Sequence, residues 1–135
     1  MYKKISLHEP SINNNEILLA KKCIKSTWLS TSGTLITKFE KKISEFTKSK
    51  YCIAVNSGTS ALHISLILAD VKANDEVLVP SLTFIAPVNC VRYLNANPIF
   101  MDCDEGFNLD IDKTIEFIKK ETFFKNNFTY NFKTK

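Results

Sequence analysis

The chain has 135 residues, is 44% hydrophobic and 24% charged, and carries a net charge of +4. That apolar share excludes a disordered chain and suffices for one domain with a core. No apolar run is long enough for a membrane helix and no charged-then-apolar leader opens the sequence, so no membrane partner and a cytoplasmic location are expected.

The charge is almost all lysine, with Arg92 the single arginine. Lys21, Lys22, Lys25, Lys38, Lys41 and Lys42 fall on predicted helix faces as solvated charge rather than a nucleic-acid groove. Cys23, Cys52, Cys90 and Cys103 form no C-x-x-C pair, and each sits in a core-like segment. They read as buried thiols of a reducing compartment. His8 and His63 lack ligand-spaced cysteines, so no metal site is expected.

In chain order, residues 1–12 read as an extended lead-in. A helix is predicted from about Asn13 to Thr27, with Asn13 or Asn14 as cap and Ile17, Leu18, Ala20, Cys23 and Ile24 apolar. The loop Trp28-Leu29-Ser30-Thr31-Ser32-Gly33 follows. A second helix runs from about Thr34 to Ser49, with Leu35, Ile36, Phe39, Ile43 and Phe46 at helical spacing.

Tyr51-Cys52-Ile53-Ala54-Val55 reads as a strand, and the segment to about Ala69 as a helix apolar most of the way round, hence buried. Between them lies Asn56-Ser57-Gly58-Thr59-Ser60. A strand turning through such residues into a helix can hold an anion, because the helix start leaves backbone N–H groups free and partly positive. Gly58 lets the backbone come close, and Ser57, Thr59 and Ser60 add hydroxyls. A phosphate site is one reading; a well-capped buried helix is the other.

Glu76-Val77-Leu78-Val79 is a second strand, stopped by Pro80. The loop to Phe84 opens a helix that tolerates Pro87 in its first turn. Pro98–Met101 is a third strand, closed by Asp102-Cys103-Asp104-Glu105-Gly106. A last helix covers about Asp112–Glu121, with Ile111, Ile115 and Ile118 at i, i+4, i+7. Residues 122–135 show no period. Alternating strands and helices argue for α/β with a parallel sheet, whose ligands gather at strand carboxyl ends. The turns 56–60, 80–84 and 102–104 lie there. No G-x-x-x-x-G-K-[ST] or G-x-G-x-x-G occurs, and Ser60 has no acid–histidine pair to activate it.

Asn56–Leu62, Asp75–Pro80 with Thr83-Phe84-Ile85-Ala86, Pro98–Asp102, and Trp28-Leu29-Ser30 with Gly33 and Phe39-Glu40 together resemble the opening of the DegT/DnrJ/EryC1/StrS family. These are pyridoxal-phosphate-dependent sugar aminotransferases of the aspartate-aminotransferase fold. Thr83–Asn89 and Phe100–Asp104 are similar to the branch acting on nucleotide-linked 4-keto-6-deoxy sugars, as in legionaminic acid and bacillosamine-type pathways. The resemblance spans nearly the whole chain and implies the N-terminal part of the large domain (fold type I), with an incomplete parallel sheet. The expected divisions are 1–33 as lead-in, helix and active-site loop, 34–121 as partial cofactor-binding domain, and 122–135 as irregular tail.

The resemblance further implies that Gly58, Thr59 and Ser60 hold the phosphate of pyridoxal 5'-phosphate and that Phe84 lies on its ring. It places Trp28, Ser30 and Thr31 near the sugar, and Asp102 at a strand end near the site. Phe84 and Trp28 also have plain packing readings. Cys90, Cys103 and His63 read as core residues. Glutamate as amino donor and a homodimer are implied for the full enzyme. The Schiff-base lysine and the pyridinium aspartate of the family lie in later segments, with no match here, so no catalytic residue is assigned. The family's topology sets strand 51–55 apart from 76–79 and 98–101, which leaves sheet edges and the 60–69 helix exposed in this chain. A non-catalytic α/β module binding a phosphorylated ligand is the alternative.

Overall fold

The computed structural model describes residues 5, 6 and 8–134. The lead-in falls partly outside them; 8–12 carry no helix or strand. Two compact units, Met1–Ala54 and Val55–Lys135, divide the chain.

The first unit contains α1 (Asn14–Lys25) and α2 (Thr34–Thr47). Asn13 caps α1 in a capping box, accepting from the amide of Asn15 at 2.8 Å while Glu16 accepts from the Asn13 amide at 2.8 Å. Helix α1 ends at Lys25, two residues earlier than the expected Thr27, with Ser26 as its C-cap and Thr27 left-handed. Gly33 caps α2, which stops where Lys48 adopts φ 55°.

The strand expected at 51–55 is not formed. A strand exists through its ladder, and these residues pair with none among the described residues. The Ala54 amide instead donates to Glu40 Oε1 at 2.8 Å. Tyr51 and Ile53 stand in solvent.

The second unit runs α3 (Gly58–Leu68), β1 (Glu76–Pro80), α4 (Ile85–Tyr93), β2 (Asn97–Met101), α5 (Ile111–Glu121), β3 (Thr122–Lys125) and β4 (Phe128–Asn131). β1 and β2 are parallel, in a register from Glu76↔Asn97 to Pro80↔Met101, and α4 is their crossover. Val77 and Val79, two apart on one face of β1, pack with Val91 and Ala96, and Leu66, Val71, Val88 and Leu94 close around them.

Short polar residues make the reversals. None of the glycines has positive φ, whereas Asp70, Asn74, Asn95, Asn126 and Asn127 do. Helix α4 stops in a Schellman turn, with Asn95 left-handed and the Ala96 amide donating to Val91 O at 3.2 Å. Asp70 closes α3 likewise, through Val71 N to Leu66 O at 3.1 Å.

Three expectations are corrected here. The tail is not irregular: β3 and β4 form an antiparallel hairpin over Asn126-Asn127, both left-handed, the conformation of a type I′ turn. Phe123 stacks on Tyr130 and Phe132 with ring centroids 5.5 and 5.0 Å away. Helix α3, buried if judged by its apolar composition alone, has no buried residue, in line with the exposure that the resemblance implies for the 60–69 helix. Among the thiols Cys90 alone is buried, while Cys23, Cys52 and Cys103 are half-buried on partly covered segments.

Candidate functional site

The start of α3 carries the predicted anion turn. Ser57 is the N-cap, with extended backbone, and its Oγ accepts from the Ser60 amide at 3.1 Å. Ser57 is therefore partly committed as a cap rather than free as an anion donor. The Ser60 hydroxyl donates to Asn56 Oδ1 at 2.6 Å. Among the described residues, the amides of Gly58 and Thr59 and the Thr59 hydroxyl make no hydrogen bond. These three donors lie on the first turn of an 11-residue helix, where the dipole adds positive potential.

Gly58 does not need glycine for its backbone angle. A Cβ built on it meets nothing within 4 Å, so the space above the first turn is open. That space and those donors fit a phosphate monoester: acceptor-only oxygens meeting N–H and O–H groups.

Phe84 is the N-cap of α4 and 87% exposed, so its ring is not a core residue of the described chain. Pro87 falls within the first turn of α4, where a missing N–H costs nothing. The pairing of α3 with α4 is held by Cys90, whose Sγ donates to Thr59 O at 3.2 Å, and by Tyr93, whose ring meets His63 edge-on at 5.6 Å. His63 is thus half-buried against an aromatic ring rather than a core residue. Sequence reading took Cys90 for packing; its partner lies 31 residues away, a distance no periodicity reports.

Asp102 follows β2 directly. Its side chain is paired with Lys113, and Lys113 also lies 3.4 Å from Asp110. The hydrogen bond from Lys113, then that from the Cys103 amide, holds the Asp102 carboxyl below its ordinary range. The same bond raises Lys113. Asp102 acts in a surface ion pair, a role that sequence reading did not assign.

In the first unit, Trp28 and Ser30 line a cleft with Cys23, Gly33, Leu35 and Ile36. Thr31 is not among its lining residues. Gly33 is buried, and a Cβ there would stand 3.1 Å from Trp28 Cδ1. Trp28 is 60% exposed and is an open wall rather than an interhelical anchor. Among the described residues, no helix is long and apolar enough to cross a membrane, and no group of three His, Cys, Asp or Glu could hold a metal ion.

Comparison with known proteins gives a consistent picture. The profile of the DegT/DnrJ/EryC1/StrS aminotransferase family matches residues 10–126. The GDP-perosamine synthase of Escherichia coli O157:H7 is 42% identical over 102 residues, covering 76% of this chain and 28% of that protein. That of Caulobacter vibrioides is 40% identical over 120 residues, covering 88% of this chain and 32% of that protein. The aminotransferase structure from Psychrobacter cryohalolentis superposes with TM-score 0.66 at 36% identity, covering 71% of this chain and 25% of that one. Spr1654 of Streptococcus pneumoniae, assigned as a sugar aminotransferase and solved in a PLP form, gives 0.74 at 27% identity, covering 84% and 29%. The chain spans about a third or less of the length of these relatives. Its fold is the α/β fold of these aminotransferases, represented here by part of the parallel sheet and its helices.

Proposed function

The chain belongs to the DegT/DnrJ/EryC1/StrS aminotransferase family, and from that premise we propose that it is the phosphate-holding portion of a pyridoxal-phosphate-dependent sugar aminotransferase. One observation carries this reading. The free amides of Gly58 and Thr59 share a helix start with the Thr59 hydroxyl, under open space.

In this reading Gly58 and Thr59 grip the phosphate through their amides, and the Thr59 hydroxyl supplies a third donor. Ser60 joins when its hydroxyl leaves Asn56. Phe84 covers one face of the ring, and its exposure supports that use. Trp28, Ser30 and Thr31 of the first unit are the residues that contact the sugar substrate. The cofactor supplies the electron sink and the amino-group carrier; this chain's residues bind and orient it. Glutamate is the amino donor, and the acceptor is C4 of a nucleotide-linked 4-keto-6-deoxy sugar. The GDP-perosamine synthases among the relatives, whose name specifies a GDP-linked compound, support a nucleotide-linked substrate. The full enzyme is a homodimer, and the chain by itself lacks the cofactor-bearing lysine and is catalytically incomplete.

Pyridoxamine phosphate and pyridoxamine test the cradle by calorimetry. The phosphate should strengthen binding, and Thr59→Val with Ser60→Ala should lower that advantage by about tenfold. Equal affinity for the two compounds would sink the reading. Borohydride treatment with pyridoxal phosphate should leave no lysine stoichiometrically labelled; one fully labelled lysine would end the claim of incompleteness.

A further inference from the structure

Cys90 is fully buried on α4, and its thiol reaches across to the carbonyl of Thr59, in the first turn of α3, at 3.2 Å. In a helix that carbonyl already serves the amide four residues on, and its second lone pair is free for the thiol. One turn further along both helices, Tyr93 meets His63 at 5.6 Å with an interplanar angle of 68°. Two contacts on successive turns fix the rotation of α3 about its own axis. That rotation decides where the amides of Gly58 and Thr59 point. The peptide unit that follows the two donor amides is thus held at both ends, its Thr59 carbonyl by a side chain of the next helix and its Ser60 amide by Ser57 Oγ at 3.1 Å.

We infer that Cys90 is a positioning residue for the anion turn: its thiol, bonded to Thr59 O, aims the Gly58 and Thr59 amides at a phosphate. The inference rests on the proposed phosphate cradle and adds a residue that touches no ligand. A thiol is a weak donor, but this one is dry and has a single acceptor. Losing it lets the first turn rotate or fray, so a ligand's phosphate meets misdirected donors while contacts to its ring are unchanged.

The test measures, on the full chain, the affinity ratio of pyridoxamine phosphate to pyridoxamine. Cys90→Val removes the donor with a slightly larger side chain; Cys90→Ala removes the donor with a smaller one; Cys90→Ser keeps a donor. In Cys90→Val and Cys90→Ala the ratio should fall about threefold to tenfold, with pyridoxamine affinity unchanged. Cys90→Ser should recover it. A structural role alone would weaken both compounds equally and leave the ratio intact, which would overturn the positioning role. A wild-type chain with no phosphate preference would overturn the cradle itself, and the role of Cys90 with it.

Discussion

Asn131 Nδ2 donates to Glu76 Oε2 at 3.0 Å, tying the end of β4 to the first residue of β1. Thr134 takes the other carboxylate oxygen. The Phe132 amide adds a bond to Glu121 O at 2.9 Å. A single glutamate therefore anchors a hairpin whose sequence is 55 residues away. Glu76→Ala should cost about 1.5 kcal/mol, the low end for bonds to a charged acceptor, since the pair is only half-buried. Amide exchange in 122–131 should speed up while exchange in β2 stays slow. Equal acceleration in both would mean that Glu76 supports the sheet and not the hairpin.

The Asp102–Lys113 pair closes the loop between β2 and α5, together with the Asp110 amide donating to Asp102 O at 2.9 Å. Asp102 has a depressed pKa, so its contribution is present above the unfolded value of 3.8 and is lost as pH falls through the lower folded one. Lys113 has a raised pKa, so its contribution holds below 10.5 and is lost as pH rises through the higher folded value. The loop should be closed across neutral pH and should open only as pH falls below the ordinary carboxylate range, through the lowered folded value of Asp102. The resonance of the Asp110 amide reports this. Asp102→Asn should remove the acid transition, and salt should weaken it, since both groups are exposed. A transition unchanged in Asp102→Asn would assign it to another carboxylate.

What was legible in the sequence was what local chemistry dictates. Asn13 with Glu16 marks a helix start, and Ser57 before Gly58 marks another. Val77 and Val79 alternating before Pro80 mark a strand that turns out to pair with 97–101. Tyr51–Val55 has strand composition, but composition supplies no hydrogen-bond partner, and a ladder is a non-local fact. The hairpin was missed for the opposite reason. Its turn is Asn126-Asn127 rather than Asn-Gly, and its strands are too short to show a period of two. In the anion turn the residue types pointed to donors. Which donors are free depends on Asn56 and Ser57 taking up parts of Ser60, and on Cys90 reaching Thr59.

Gly33 lets the 28–33 loop close under Trp28. Its amide donates to Ser30 O at 3.3 Å, and a Cβ would stand 3.1 Å from Trp28 Cδ1 and 3.4 Å from Ser30 O. The indole is exposed enough to yield, so Gly33→Ala should displace the ring rather than unfold the unit, at a cost under about 1 kcal/mol. Trp28 is the only tryptophan, so its emission reads the change cleanly. A shifted and more easily quenched emission is expected. An unchanged spectrum would show that the loop backbone, not the ring, gives way.

Helix α3 presents Leu62, Ile64, Ile67 and Leu68 at 41, 45, 52 and 81% exposure, while Leu66 alone joins the core cluster. The buried hydrophobics are few: Val79, Cys90, Val91, Ala96 and Met101 among the described residues. Burial at about 25 cal/mol per Å² must offset roughly 1–2 kcal/mol of backbone entropy for each ordered residue. A core this small leaves little surplus, and an open apolar helix face invites association. The chain by itself should melt over a broad range, bind a hydrophobic dye and self-associate as its concentration rises. Leu68→Lys removes the most exposed of these side chains without touching the cluster. It should reduce dye binding and association while leaving the midpoint within about 0.5 kcal/mol of the parent. A sharp cooperative melt of a dye-silent monomer would contradict both expectations, since the apolar face of α3 would then have to be covered in solution.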